Sequence, residues 1–200
     1  MLTAAIIGGG LSQRLGGQDK LLVEIDGRRQ VDRLREALAA QSDVQILISN
    51  RPAASYGELS MPLYADHIAN AGPLAGIHAA LAACRTPALL CVPADIALLP
   101  ADLAARLGAA RTQTQAPAAC VHDGVDLQPV CCLLDAQLVD SAQHALAAGQ
   151  LALHRWLRSL GAASVDYGHW PRWAWSFNTP DELASVRAQV AARNNAPPAR

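Results

Sequence analysis

Short apolar runs alternate along the chain with stretches whose apolar residues recur every three or four positions. The apolar runs predict strands at 2–7, 21–25, 44–48, 88–92, 118–122 and 129–134. The periodic stretches predict helices at 31–40, from 72 onward, at 100–107, 153–160 and 180–192. The run at 88–92 is apolar throughout, which is typical of a central parallel strand covered on both faces. Because strands and helices alternate, we expect an α/β fold with a doubly wound, mostly parallel sheet.

A helix-capping signal lies near the end of the chain. Thr179 at the N-cap, Pro180 at the first helical position and Glu182 at the third form a capping box. The helix that follows is predicted to end at about Ala192. Because 200 residues fit one domain, we expect a single domain at 1–192 followed by a flexible tail at 193–200.

The composition is that of a folded protein with no overall basic surface. Hydrophobic residues make up 52 % and charged residues 16 %, which excludes a disordered chain. The formal net charge of −1 provides no overall positive charge that would bind the phosphate backbone of a nucleic acid. No apolar run reaches the roughly 20 residues that span a bilayer, and the N-terminus lacks the basic segment of a signal peptide. We therefore expect a cytoplasmic protein that binds neither nucleic acid nor membranes.

The number and spacing of the cysteines are also those expected of a cytoplasmic protein. There are five, an odd number, and none is in a C-x-x-C spacing. Reduced, buried thiols are therefore expected rather than a disulfide framework or a zinc site.

A glycine-rich loop follows the first predicted strand. Residues 8–20 read GGGLSQRLGGQDK. Glycines let backbone N–H groups approach phosphate oxygens, and Arg14 and Lys20 add cationic donors suited to a triphosphate. Two rival motifs fail, because a dinucleotide fingerprint needs glycine at Gln13 and a Walker A loop needs Ser or Thr at Leu21. A tight turn without a ligand is the remaining alternative for the loop.

Two further polar residues follow predicted strands. Asn50 comes after 44–48 and Asp95 after 88–92. In doubly wound sheets, ligands bind at the carboxyl ends of strands. Asp95 suits Mg²⁺, which prefers one or two carboxylates together with substrate phosphates. Taken from the residues alone, Asp95 could equally be the N-cap of the next helix.

These segments resemble a known family. The loop at 8–20 is similar to the N-terminal signature of the nucleotidyltransferases that handle molybdenum cofactor, and most closely to their guanylyltransferase branch. Counterparts of other family segments follow in order at 49–51, 64–66, 72–76, 92–95 with Pro100, 121–124 and 177–180. The resemblance covers residues 3–190 and implies a nucleotidyltransferase domain. It implies transfer of GMP from GTP to the phosphate of molybdopterin, with release of pyrophosphate and with Mg²⁺ as cofactor.

The resemblance also implies roles for individual residues and partners. The nucleotide-binding residues would be Ile7, Gly8, Gly9, Lys20, Asn50, Asp66 and Asp95. The catalytic residues would be Arg14, Lys20 and Asp95, with Asp95 as the metal ligand, and His122 and Asp123 would approach the pterin. Besides GTP and molybdopterin as substrates, we expect transient contact with molybdenum-insertion proteins or molybdoenzyme chaperones.

The chain departs from the family pattern at several positions. Gly8 stands where alanine is usual, a change expected to be harmless and merely more flexible. Ala97, Gln128 and Ser176 replace a proline, a histidine and an asparagine. Leu151 and Ala152 stand where basic residues usually follow the Gly149 turn, and the candidates to supply that charge instead are His154, Arg155 and Arg158.

Three other functions stay open at the level of the sequence. A CTP-using cytidylyltransferase, acting on molybdopterin or on another phosphorylated acceptor, would differ in the base contacts around 7–9. A non-catalytic nucleotide-binding module is disfavoured by the presence of Arg14, Lys20 and Asp95 together, because a sensor needs no metal at the α-phosphate. The failed fingerprint disfavours a dinucleotide oxidoreductase.

Overall fold

The computed structural model describes residues 1–8, 18–66, 68 and 72–194. In this part of the chain the strands are β1 (Leu2–Ile7), β2 (Glu24–Ile25), β3 (Arg28–Arg29), β4 (Val44–Ile48), β5 (Leu63–Tyr64), β6 (Ala88–Pro93), β7 (Ala118–His122), β8 (Leu127–Asp135) and β9 (Ala163–Asp166). The α-helices are α1 (Gln30–Ala39), α2 (Gly72–Ala83), α3 (Leu103–Thr114), α4 (Val139–Ala147), α5 (Leu153–Ser159) and α6 (Pro180–Asn194).

Seven of these strands form one sheet in the order β5-β4-β1-β6-β8-β7-β9. The pairs β5–β4, β4–β1, β1–β6 and β7–β9 are parallel, whereas β8 runs antiparallel to both of its neighbours. The predicted α/β fold with a mostly parallel sheet is confirmed. β2 and β3 form a separate antiparallel hairpin.

Helices cover both faces of the sheet. Apolar residues of α1 and α3 pack with one face, and those of α2, α4 and α5 pack with the other. Alternate residues of β1 therefore belong to different clusters, with Ile6 on the first face and Ile7 on the second. The predicted central run at 88–92 lies in β6 and is buried from Leu89 to Val92. α6 packs over the β2–β3 hairpin in a third cluster.

Some predicted boundaries differ from the structure. Leu21 and Leu22 form a turn rather than a strand, because the amides of residues 22 and 23 both donate to the Asp19 carbonyl oxygen. The third long helix begins at Leu103 rather than at Pro100, and α6 continues to Asn194. β3, β5, β9 and α4 were not predicted from the sequence. β5 has only two residues and α4 buries only Ala142, so neither has a strong hydrophobic pattern.

The structure also shows the state of the cysteines and the length and apolar character of the helices. All five cysteines are free and buried, as predicted. Across the described residues, no helix combines the length and the apolar character needed to cross a bilayer.

Candidate active site

The carboxyl ends of four parallel strands lie at one edge of the main sheet. β1 lies between β4 and β6, and its last residue, Ile7, pairs with Ile48 on one side and with Pro93 on the other. β5 pairs with β4 and ends at Tyr64. Each strand end is followed by one of the predicted site residues Gly8, Asn50, Asp66 and Asp95. The topology therefore brings these four residues to the same edge.

Lys20 links two segments of the chain at this edge. Its Nζ atom donates hydrogen bonds to Asp95 Oδ2 at 2.5 Å and to Asn178 Oδ1 at 2.7 Å. The side chains of Lys20 and Asp95 are 22 % and 19 % exposed, so the pair is partly shielded from water but still open to a ligand. Two residues that were predicted to share a site are thus in direct contact.

Asn178 was not among the predicted site residues. It comes from the segment before α6, and its backbone N–H donates to Glu182 Oε2 at 2.5 Å. The same carboxylate accepts from the Thr179 amide at 3.2 Å, and the Glu182 amide donates to Thr179 Oγ1 at 3.2 Å. This confirms the predicted capping box, which also fixes the backbone of Asn178. The signal that could have revealed it is the segment 177–180, which contains Asn178 and has a counterpart in the family.

The turn that holds Asp95 is clamped by a buried glutamine. Gln30, at the start of α1, is fully buried, and its Nε2 atom donates to Ala94 O at 3.2 Å and to Ile96 O at 2.6 Å. The backbone on both sides of Asp95 is therefore fixed. The alternative interpretation of Asp95 as an N-cap is wrong, because α3 begins at Leu103 and Asp102 occupies its N-cap position.

Gly8 packs closely against the residue after Lys20. Its amide donates to Ile48 O at 2.8 Å. A Cβ atom at position 8 would lie 2.6 Å from Leu21 Cδ1 and 3.0 Å from Ile48 O. An alanine at this position would therefore require the Leu21 side chain to shift, so glycine here allows close packing in addition to the flexibility that was expected. The contact packs the turn of Lys20 against the end of β1.

The side chain of Asn50 contacts the backbone of Asp66. Asn50 Oδ1 accepts a hydrogen bond from the Asp66 amide at 2.8 Å, and Asp66 Oδ1 accepts one from the Ile68 amide at 3.0 Å. This arrangement uses the carboxamide oxygen of Asn50 to join the ends of β4 and β5. Gly9 and Arg14, the other two predicted site residues, lie outside the described residues.

The side chain of Asp123, which was predicted to approach the pterin, accepts hydrogen bonds within its own hairpin turn. Its Oδ1 atom accepts from the Val125 and Asp126 amides at 2.9 and 2.7 Å, and Oδ2 accepts from Gln128 Nε2 at 2.9 Å. Burial alone would raise the pKa of the Asp123 carboxyl, but these hydrogen bonds outweigh it and hold the pKa below its ordinary value. The neighbouring His122 accepts the Gly124 amide at Nδ1. Both residues thus stabilise the turn between β7 and β8.

The loop between α4 and α5 lies beside the first residue of α2. A Cβ atom on Gly72 would lie 3.6 Å from the carbonyl oxygen of Leu151, and the Leu151 side chain is exposed. The residues considered as substitutes for the missing basic charge, His154, Arg155 and Arg158, are exposed on α5. The N-terminus of α2 therefore lies beside the backbone of Leu151, and the two arginines are on the helix that follows this loop.

Comparisons with known proteins agree with this architecture. The profile of the MobA-like NTP transferase domain matches residues 4–165. A molybdenum cofactor guanylyltransferase of Shewanella frigidimarina is 35 % identical over 191 residues, covering 95 % of this chain and 97 % of its own. One from Polynucleobacter asymbioticus is 34 % identical over 194 residues, covering 94 % and 97 %.

Solved structures support the fold at lower sequence identity. The molybdopterin-guanine dinucleotide biosynthesis protein A of Archaeoglobus fulgidus superposes with a TM-score of 0.78 at 16 % identity, covering 95 % of this chain and 99 % of its own. The 2-C-methyl-D-erythritol 4-phosphate cytidylyltransferase of Thermus thermophilus gives 0.70 at 15 % identity, covering 94 % and 98 %. At these identities the likeness concerns the fold alone.

Proposed function

The chain belongs to the family of MobA-like NTP transferases, and from that membership we propose that it transfers GMP from GTP to the phosphate of molybdopterin, releasing pyrophosphate. The observation that carries the proposal is the contact of Lys20 with Asp95 and Asn178 at the carboxyl edge of the sheet. That cluster places a cation and a carboxylate beside Gly8, where the glycine-rich segment begins. This is the charge pattern that nucleotidyl transfer requires.

The side chains of the cluster have separate tasks in this proposal. Lys20 binds the outer phosphates of the nucleotide, and the backbone at Ile7 and Gly8 lies against the nucleoside and the phosphates. Asn50 and Asp66 contribute nucleotide contacts from the neighbouring strand ends. Arg14 and Gly9 complete the phosphate-binding loop.

The oxygen donors at the cluster fit a magnesium ion. No group of three or more His, Cys, Asp or Glu side chains suited to a metal occurs among the described residues. Mg²⁺ does not need such a group, because it is held by one or two carboxylates together with substrate phosphates. Asp95 would hold the ion, with Asn178 Oδ1 as a neighbouring oxygen ligand. When bound, Mg²⁺ neutralises charge on the phosphates.

The reaction needs no general base in this scheme. The attacking phosphate of the acceptor is already anionic, so the protein has to align it with the α-phosphate and balance the charge. In the structure the Lys20 ammonium and the Asp95 carboxylate balance each other. The triphosphate offers Lys20 a second anionic partner, which frees Asp95 to serve as a metal ligand.

A nucleotide panel tests the assignment. Purified protein is mixed with molybdopterin, Mg²⁺ and one of GTP, CTP, ATP or UTP, and pyrophosphate release is followed. We expect release with GTP that depends on both molybdopterin and Mg²⁺. Faster release with CTP would replace the guanylyl assignment by a cytidylyl one. Release without molybdopterin would identify hydrolysis or another acceptor.

A further inference from the structure

Tyr56 lies between the two segments that carry Lys20 and Asn50. It ends a short 3₁₀ helix (Ala53–Tyr56), and its side chain is fully buried. The phenolic oxygen is 2.7 Å from Ser49 Oγ and 2.9 Å from Asp19 Oδ2. Because the single phenolic proton is donated to Asp19, the Ser49 hydroxyl donates to the phenol. One buried hydroxyl therefore connects the residue before Lys20 to the residue before Asn50.

Asp19 fixes the turn in which Lys20 lies. Its Oδ1 atom accepts the Leu21 amide at 2.9 Å, and its backbone oxygen accepts the amides of residues 22 and 23 at 3.0 and 3.2 Å. Oδ2 accepts from Tyr56 and from Arg51 Nε, the latter at 3.0 Å. The Asp19 side chain is 7 % exposed. Removing a donor from a carboxylate this buried costs free energy, because water cannot replace the lost hydrogen bond.

Ser49 fixes the other segment. Its amide donates to Tyr64 O at 2.9 Å, which ties the end of β4 to β5. Its hydroxyl accepts the Arg51 amide at 3.2 Å while donating to Tyr56. The backbone on both sides of Asn50 is thus anchored to the same phenol that anchors Asp19.

We propose that Tyr56 is a positioning residue for nucleotidyl transfer, whose hydroxyl holds the Lys20 turn and the Asn50 segment at a fixed separation for the triphosphate. It touches neither substrate nor metal and acts through Asp19 and Ser49. The inference rests on the proposed function, because it assumes that Lys20 binds the outer phosphates. Burial raises the pKa of Tyr56 to about 12, so the phenol keeps its proton at neutral pH.

The chain offers a matched control at a second buried tyrosine. Tyr167 is also fully buried, and its hydroxyl donates to Asp102 Oδ1 at 3.1 Å. Tyr56→Phe and Tyr167→Phe each remove one hydroxyl from a phenol-to-aspartate hydrogen bond and keep the ring, but Asp102 is exposed whereas Asp19 is buried, and the Tyr56 hydroxyl also bonds Ser49. Both variants should lose some thermal stability, Tyr56→Phe more than Tyr167→Phe, because it leaves the buried Asp19 carboxylate without one of its donors. Only the first should affect the nucleotide site.

The test uses two readouts on the wild type and both variants. Calorimetry in Mg²⁺ gives the affinities for GTP and GMP, whose ratio reports contacts to the outer phosphates. We expect Tyr56→Phe to lower that ratio by about threefold to tenfold, the size of one typical net hydrogen bond, and Tyr167→Phe to leave it unchanged.

The second readout needs no nucleotide. Lys20 is the only lysine of the chain, so ¹⁵N-lysine labelling gives a single Nζ signal, which should shift or broaden in Tyr56→Phe alone.

The outcomes separate this proposal from the proposed function. An unchanged affinity ratio together with an unchanged lysine signal in Tyr56→Phe overturns the positioning role, as does an equal change in Tyr167→Phe. If the wild type prefers CTP, the guanylyl assignment fails, and the ratio of CTP to CMP affinity then tests Tyr56 in the same way. Binding of no nucleotide by the wild type overturns both.

Discussion

Lys20 and Asp95 are 75 residues apart in the sequence, and their side chains meet at 2.5 Å, where Asp95 follows the end of β6. The pair is partly buried. Removing either charge therefore leaves the other without its partner at a position that is partly shielded from water. Asn178 accepts a second hydrogen bond from the ammonium and partly compensates the loss of Asp95. Variants at the two positions should therefore differ in stability as well as in activity.

Lys20→Ala should weaken the binding of GTP more than that of GMP. A charge-assisted hydrogen bond is worth about 1.5–3 kcal/mol, or roughly 10- to 150-fold in affinity. Because GMP lacks the outer phosphates, its penalty should be smaller. Calorimetry in Mg²⁺ measures both affinities, and Arg35→Ala, an exposed cation on α1, serves as the control. An equal loss for the two nucleotides would mean that Lys20 acts on the nucleoside or on the shape of the loop.

Asp95→Asn should lower turnover by orders of magnitude while the protein remains folded. The substitution keeps the shape of the side chain but removes the carboxylate proposed to hold Mg²⁺. Pyrophosphate release at saturating GTP and Mg²⁺ measures the effect, and circular dichroism checks the fold. The matched control is Asp135→Asn, which breaks an ion pair with Arg111 away from the site. Near-normal turnover in folded Asp95→Asn would remove Asp95 from the mechanism.

The sequence predicted those parts of the site that local patterns encode. A central apolar strand followed by Asp95, and a first strand followed by glycines, place both motifs at the same sheet edge once the strands are parallel. The capping box at Thr179 was likewise readable, because it depends on residues three positions apart.

Other parts depend on contacts between distant residues. Asn178 reaches Lys20 over 158 positions, and the antiparallel insertion of β8 between β6 and β7 is decided by pairing, not by periodicity. The links from Tyr56 to Ser49 and Asp19 require a folded 3₁₀ turn between β4 and β5. Hydrophobic spacing along one segment carries no information about such partners.

Gly8→Ala should destabilise the protein even though alanine is a small residue. Its methyl group would meet Leu21 Cδ1 at 2.6 Å and Ile48 O at 3.0 Å, and overpacking of this kind costs about 1–3 kcal/mol. Urea unfolding measures the change. Gly108→Ala is the control, because its nearest neighbour is Leu133 Cδ2 at 3.8 Å and alanine favours the helix by about 1 kcal/mol.

A double-mutant cycle checks the cause of the Gly8→Ala effect. Leu21→Val removes the methyl group that the new Cβ would meet. If the contact with Leu21 is responsible, the double variant should be more stable than the sum of the single effects by about 1 kcal/mol. Additive effects would place the strain at Ile48 O instead.

The five thiols should react with a disulfide reagent only when the protein unfolds. All five are buried. Burial raises the pKa of Cys120 to about 11, and burial likewise holds the pKa of Cys131 far above its ordinary value. The thiolate, which is the reactive form, is therefore scarce at neutral pH. Colorimetric titration at pH 7.5 should count no thiols in buffer and five in concentrated urea. Ser159→Cys, at an exposed helix position, should add one fast-reacting thiol and validate the assay.

Fast labelling of Cys131 in buffer would reveal local opening of β8, which pairs with β6, the strand that leads to Asp95, and would contradict the burial of this thiol.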